Sequence, residues 1–380
     1  MRGSLEKKIL ICGGGTAGHI YPAVAIIEHI RKNYPATKLV YVGTERGMEK
    51  EFISRLGVDF RKIKATGLAS GGNFFKRVLV LLKFLFFVTF GFLQSTRIVL
   101  ESKPDLVLGM GGYVCVPVLL ACIVLGKKFV LHEQNYIPGR VNRIFSRFAR
   151  KIFVSFDETK RFLKVSENRV IFSGNPVRES IKKFSLIEPD YEKWGLEKQR
   201  FTVVAFGGSL GAEKINNVTI GLYHFYRDCS HIQFLLICGE RFYKDLEKRV
   251  GSIRDNKDRL VFRIFPYVHE MEEIYRIADL IISRAGANTI AELSFCNIPA
   301  ILIPYPWAIE NHQYHNANFL ARNGKGILIL DSELSEKVLV NTIESLLADD
   351  RRKYKKMKEK IMGFQNIRSA EIITNSLMEI

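Results

Sequence analysis

Short apolar runs alternate along this chain with longer stretches in which apolar residues recur at helical spacing. "KKILIC" (7–12) precedes a glycine turn and "YPAVAIIEHIRKNY" (21–34), and "KLVYVG" (38–43) precedes "RGMEKEFISRLG" (46–57). "PDLVLGMGG" (104–112) precedes "VCVPVLLACIVLG" (114–126), and "KKFVLHEQN" (127–135) follows. This strand–helix rhythm predicts a parallel sheet with helices on both faces. It restarts near residue 200 with "RFTVVAFGGSLGAEKINNVTIGLYHFY" (200–226), and "IQFLLICG", "LVFRIFPYV", "DLIISRAG" and "AILIPYP" supply further strands. The fold class is therefore α/β, with two Rossmann-like domains expected to face a ligand-binding cleft. A seam is expected at 174–190, which holds two prolines and no clean period. The expected domains are 1–178 and 179–360, with 361–380 a C-terminal helix packing back on the first.

Two stretches stand out from this rhythm. Residues 74–97, "FFKRVLVLLKFLFFVTFGFLQSTR", are the most apolar, and between Val78 and Thr96 only Lys83 is charged. Their length suits a membrane span. Strands expected before it (9–12, 39–42) and after it (106–109, 129–131) belong to one sheet, however, so a span would divide that sheet across the bilayer. A crossover helix lying on the membrane surface fits better than a purely buried one, with Lys76, Arg77 and Lys83 beside the apolar side. The second stretch, "RRKYKKMKEK" (351–360), is seven-tenths basic and follows Asp349 and Asp350, a plausible helix start. It reads as a solvated helix face. No nucleic-acid-binding signature accompanies it, so nucleic acid is not an expected partner.

The 380 residues carry 57 Lys and Arg against 39 Asp and Glu, a net charge of +18. Such a field favours anionic partners, among them phosphorylated substrates and anionic lipid surfaces. Cys12, Cys115, Cys122, Cys229, Cys238 and Cys296 are scattered without a C-x-x-C pair, as expected of buried thiols in a reducing compartment. The apolar run before the first glycines is too short for a signal-peptide core, which points to the cytoplasm.

"GGGTAGHIYP" (13–22) has G-x-G-x-x-G spacing, which lets a backbone approach an anion at a helix N-terminus. NAD would also call for an acid at the end of the second strand, where Gly43 stands. No G-K-[ST] follows, so the turn is not a P-loop either. His19 at the start of the next helix reads as a general base, a polar contact to substrate or a helix cap. A second turn, "GGSLGAEKIN" (207–216), opens the second half. A third, "SRAGANTIAEL" (283–293), offers helix N-terminal amides to a diphosphate, with Glu292 one turn on and able to accept ribose hydroxyls. "PWAIENHQYHNA" (306–317) adds Asn311, His312 and Gln313, which suit sugar hydroxyls. No D-x-D pair stands out, so neither an obligatory metal ligand nor a cofactor is expected.

Taken in order, "GGGTAGHIYPAVAI", "GMGGYVCVPVLLA", "HEQNYIPGRVNR", "GNPVR", "GGSLGAEKIN", "SRAGANTIAEL" and "NHQYHNA" resemble the motifs of the MurG family of GT-B glycosyltransferases. The resemblance runs from residue 13 to about 317. It implies inverting transfer of N-acetylglucosamine from UDP-N-acetylglucosamine to the 4-hydroxyl of undecaprenyl-diphospho-N-acetylmuramoyl-pentapeptide (lipid I), giving lipid II for peptidoglycan. It implies a peripheral enzyme on the cytoplasmic face of the plasma (inner) membrane, held to an anionic surface. Carried over residue by residue, the family's first turn is Thr16, Ala17, Gly18 and His19, its H-E-Q-N asparagine is Asn135, and its N-P-V-R arginine is Arg178. Its G-G-S serine is Ser209, and the backbone contact to uracil falls on Val268. Its diphosphate turn covers Gly286, Ala287, Asn288 and Thr289, its ribose-binding glutamate is Glu292 and its sugar-binding glutamine is Gln313. Ala17 stands where the family usually has glycine, which bears on the geometry of the first turn. His19 is the first candidate base. Glu133, with His132, is either a second candidate or a support for Asn135. Competing readings are an NAD-dependent oxidoreductase, another GT-B sugar-nucleotide enzyme acting on a lipid-linked acceptor, and a non-enzymatic module that binds lipid diphosphates.

Overall fold

A computed structural model describes residues 6–44, 49–67, 74–208, 210–361 and 368–380. The chain forms two compact units, Met1–Glu179 with Asn366–Ile380, and Ser180–Gln365. In the first unit the strands are β1 (Lys8–Cys12), β2 (Lys38–Thr44), β3 (Asp59–Ile63), β4 (Leu106–Gly109), β5 (Phe129–Glu133), β6 (Ile152–Val154) and β7 (Val170–Phe172). Its helices are α1 (Ala17–Asn33), α2 (Glu49–Ser54), α3 (Phe74–Ser102), α4 (Cys115–Val124) and α5 (Arg140–Phe145), and α6 (Glu179–Lys182) follows at the boundary between units. The second unit contains β8 (Phe201–Phe206), α7 (Glu213–Tyr226), β9 (Ile232–Ile237), α8 (Glu240–Ile253), β10 (Val261–Phe265), α9 (Met271–Ile277) and β11 (Leu280–Ser283). It continues with α10 (Ala287–Phe295), β12 (Ala300–Leu302), α11 (His312–Arg322), β13 (Ile327–Leu328) and α12 (Glu336–Ile361), and α13 (Ser369–Glu379) ends the chain.

The first sheet is parallel, in the order β3-β2-β1-β4-β5-β6-β7, with Ile11 opposite Tyr41 on one side and Leu108 on the other. Successive residues of β1 feed different cores, as period-two geometry requires. Ile9 and Ile11 pack with Ile20, Ile26 and Ile27 of α1, whereas Leu10 and Cys12 pack with Val118, Leu119 and Cys122 of α4. Ile373 and Leu377 of α13 join the α1 side, where Tyr34 donates to the Asn375 amide oxygen at 2.9 Å. The second sheet runs β10-β9-β8-β11-β12-β13, also parallel. Both orders reverse at one place, between β1 and β4 and between β8 and β11. Such switch points leave a crevice at the carboxyl ends of the strands, and the glycine turns follow these strands.

The long apolar stretch forms α3, which leaves β3 and returns to β4 of the same sheet. Gly91, Ser95 and Val99 form its buried stripe, and a Cβ on Gly91 would come within 2.5 Å of the Lys64 carbonyl. Leu85, Phe86, Phe90, Leu93 and Leu100 are exposed on the rest of the helix, as is Lys83. The side chains of Lys76 and Arg77 lie outside the described residues. In α12, two helical runs meet at a kink where Asp349, Asp350 and Arg351 have φ of 48°, 57° and 60°.

Candidate active site

Two turns interlock at the first switch point. The β1–α1 turn ends in an extended Thr16, the N-cap of α1, so Ala17 is already the first helical residue and its φ is negative. Alanine is favourable there, so the departure from glycine introduces no backbone strain. Gly18 is half-buried, and a Cβ on it would meet only the Thr16 hydroxyl, at 3.3 Å. The β4–α4 turn then closes over the imidazole of His19. Gly111 and Gly112 have φ of 93° and 78°, and a Cβ on Gly112 would lie 2.8 Å from the Gly14 carbonyl and 3.0 Å from His19 Cδ2. Only glycine lets this backbone lie flat on the ring.

The end of β5 supplies the polar groups behind that ring. Gln134 is 1% exposed, and its Oε1 sits 3.1 Å from His19 Nδ1. Its Nε2 donates to the Met110 carbonyl at 2.9 Å and lies 2.9 Å from His132 Nδ1. Burial pushes the His19 pKa below its ordinary value, while the oxygens of Gln134 and Met110 pull it the other way. The ring is therefore neutral at pH 7, as a base must be.

Glu133 is 1% exposed and both its oxygens are engaged. Oε1 accepts from the Asn135 backbone N–H at 2.9 Å and its side-chain amide at 3.3 Å. Oε2 accepts from Gly139 N–H at 3.0 Å and Asn142 Nδ2 at 2.8 Å. Burial raises its pKa and these hydrogen bonds lower it. The carboxylate thus shapes the loop that carries Asn135. Arg178 stacks on Tyr21 of α1, its guanidinium carbon 4.3 Å from the ring centroid.

His132 is fully buried, with its pKa lowered by burial to about 4. Between pH 6.5 and 4 the unfolded chain takes up this proton and the folded chain does not. Stability is therefore complete above 6.5 and falls by about 3 kcal/mol as pH drops toward 4. Urea unfolding midpoints measured across that window should fall, and His132→Gln should flatten the slope; equal slopes in the two proteins would remove His132 as the cause.

At the second switch point, Gly286 is the extended N-cap of α10, and Ala287, Asn288 and Thr289 form a first turn without an acidic side chain. Its amides suit an anion. Glu292 is 7% exposed and accepts from Tyr275 Oη at 2.8 Å, so one oxygen is oriented by the protein. Arg284 is ion-paired with Asp331 at 2.6 Å, and Asn316 donates to the Ala285 carbonyl at 3.3 Å, bracing the turn. Gln313 accepts from Tyr305 N–H at 2.9 Å. Val268 is buried in the loop after β10. Ser209 lies outside the described residues. Among the described residues, no three or more His, Cys, Asp or Glu side chains are gathered as for a metal ion.

The first unit thus carries Thr16–His19, Glu133, Asn135 and Arg178, and the second carries Val268, Gly286–Thr289, Glu292 and Gln313. Gln134, Asn142 and the Gly111–Gly112 pair lie within the family-like motifs, but the motifs by themselves give none of them an individual role. Beside the neighbouring His132, Gln134 meets Met110 and His19, 24 and 115 residues away, and no local pattern marks those two contacts.

Residues 9–154 match the Glycosyltransferase family 28 N-terminal domain, and residues 202–370 the Glycosyltransferase family 28 C-terminal domain. A UDP-N-acetylglucosamine–N-acetylmuramyl-(pentapeptide) pyrophosphoryl-undecaprenol N-acetylglucosamine transferase of Acetivibrio thermocellus is 37% identical over 366 residues, 94% of this chain and 95% of that one. Its namesake from Caldanaerobacter subterraneus is 40% identical over 344 residues, 90% of this chain and 91% of that one. In fold, the chain is similar to MurG of Acinetobacter baumannii, with TM-score 0.76, 23% identity and coverage of 98% of this chain and 100% of that one. It is also similar to a UDP-GlcNAc 2-epimerase of Neisseria meningitidis, with TM-score 0.68, 14% identity and coverage of 98% and 100%. The two full-length relatives and the two matched domains show that the chain belongs to glycosyltransferase family 28 and, within it, to the MurG family.

Proposed function

We propose that this chain transfers N-acetylglucosamine from UDP-N-acetylglucosamine to the 4-hydroxyl of the muramoyl sugar of pyrophosphoryl-undecaprenol-linked N-acetylmuramyl-pentapeptide. The observation that carries this is the likeness, over nine-tenths or more of both chains, to relatives bearing that activity in their names. The second unit holds the donor. The amides of Gly286–Thr289 take its diphosphate, Glu292 its ribose, the backbone at Val268 its uracil and Gln313 its hexose. The first unit holds the acceptor, whose diphosphate meets the turn at Thr16, Ala17 and Gly18. His19 Nε2 takes the hydroxyl proton as the new C1–O bond forms and the bond from C1 to the UDP oxygen breaks. The charge that develops on UDP is met by the N-terminus of α10, Arg178 and Ser209. Asn135 contacts substrate from a loop that Glu133 holds in shape. With radiolabelled UDP-N-acetylglucosamine and the lipid-linked muramoyl peptide, label should enter the lipid fraction. No transfer by folded protein would overturn the proposal.

The acceptor is anchored in lipid, so the first unit docks peripherally on an anionic, cytoplasmic membrane face through α3. Its exposed Phe86, Phe90 and Leu93 support this reading. So does the exposed face of α5 and the turn after it, where Arg140, Arg143 and Arg147 alternate with Ile144 and Phe148. Replacing Phe86, Phe90 and Leu93 together by serine should weaken sedimentation with phosphatidylglycerol vesicles by at least about tenfold, because each side chain forfeits about 1.5–3 kcal/mol of burial. Unchanged binding would place the docking surface elsewhere.

A further inference from the structure

We propose that Gln134 fixes the ring tautomer of His19 and is thereby a positioning residue for the proton transfer; this rests on the reading of His19 as the base. Two carbonyls that can only accept determine the network. The Gln134 atom 2.9 Å from the Met110 carbonyl must be the Nε2 donor, which settles the direction of the amide. The same Nε2 lies 2.9 Å from His132 Nδ1, which must then carry a lone pair. His132 keeps its proton on Nε2 and donates it to the Gly174 carbonyl at 3.3 Å.

With its nitrogen so committed, Gln134 presents Oε1 to His19 Nδ1 at 3.1 Å. An amide oxygen only accepts, so His19 holds its proton on Nδ1 and its lone pair on Nε2. Neutral histidine in water favours the opposite arrangement, so the preference is imposed. Among the described residues, no donor reaches Nε2. When the acceptor hydroxyl attacks C1, its proton moves to this lone pair, and the imidazolium formed keeps its Nδ1–H on Gln134 until Nε2 returns the proton to solvent. A glutamine orients the ring without adding charge, so the base stays neutral near pH 7.

The test is nitrogen-15 NMR of the full chain labelled only at histidine, of which there are eight. His19 is identified by the resonances lost in His19→Gln. At pH 8 the wild-type ring should show protonated Nδ1 and unprotonated Nε2; the reverse pattern overturns the proposal whatever the variants do. Gln134→Leu should shift the ring toward Nε2–H and lower kcat by roughly 10²-fold, with KM for UDP-N-acetylglucosamine within about twofold. A Gln134→Leu protein with wild-type tautomer and turnover overturns the role. If His19→Ala keeps wild-type turnover while the wild-type spectrum shows Nδ1–H, the reading of His19 as base fails and the control of its tautomer by Gln134 stands.

Discussion

Replacing His19 by alanine should slow transfer of N-acetylglucosamine by about 10²–10⁴-fold, the range a positioned general base contributes. The loss should fall on kcat. KM for UDP-N-acetylglucosamine should change little, because the residues assigned to the donor belong to the second unit, in the loop after β10 and on α10 and α11, whereas His19 belongs to the first. The wild-type rate should rise with pH through the His19 pKa and level off above it, because only the neutral ring accepts a proton. Burial lowers that pKa, so the rising limb should lie below the ordinary histidine value of 6.5 and vanish in the alanine variant. Initial rates of label transfer between pH 5 and 8 measure both effects. An alanine variant with wild-type turnover, or an unchanged acid limb, would exclude His19 as the base.

Gly112→Ala should damage both stability and turnover, and Gly126→Ala separates the causes. Both glycines have positive φ, 78° and 63°, so both alanines bear backbone strain of roughly 1–3 kcal/mol. They differ in what the new methyl meets. At Gly126 there is nothing within 4 Å, whereas at Gly112 the Gly14 carbonyl is at 2.8 Å and His19 Cδ2 at 3.0 Å. Backbone cannot yield as a flexible side chain does, so the imidazole must move off Gln134 or the two turns must part. Calorimetry should show both variants destabilised, Gly112→Ala more so. At a temperature where both are folded, only Gly112→Ala should lose at least about tenfold in kcat, since an orientation error near 1 Å suffices for such losses. Equal turnover in the two variants would mean that the fit of the glycine turn on His19 has no part in catalysis.

Much of the architecture could be read along the chain because its strands are buried on both faces. Runs such as "ILIC" and "LVLG" are continuous apolar segments, and they became β1 and β4. β3, "DFRKI", was not isolated, because an edge strand half in water carries charges at exposed positions. β13 spans only two residues, too short for any period to show. The site was legible where a motif is local. Gly286–Thr289 and Glu292 lie on one turn and helix, and Glu133 was already a candidate support for Asn135.

Hydrophobic period and glycine spacing are properties of neighbouring residues, and neighbours alone dictate which segments become strands, helices and anion-binding turns. From them follow the two parallel sheets, the glycine turns after β1 and β8, and the family. Which proton sits on which nitrogen of His19 is not written in any neighbourhood. It depends on β1, β4 and β5 lying side by side, which brings Met110, Gln134 and His19 within hydrogen-bonding reach across more than a hundred residues of chain. Hydrogen bonds are directional and short, so the protonation pattern and the lowered pKa exist only once the sheet has formed and water has been excluded.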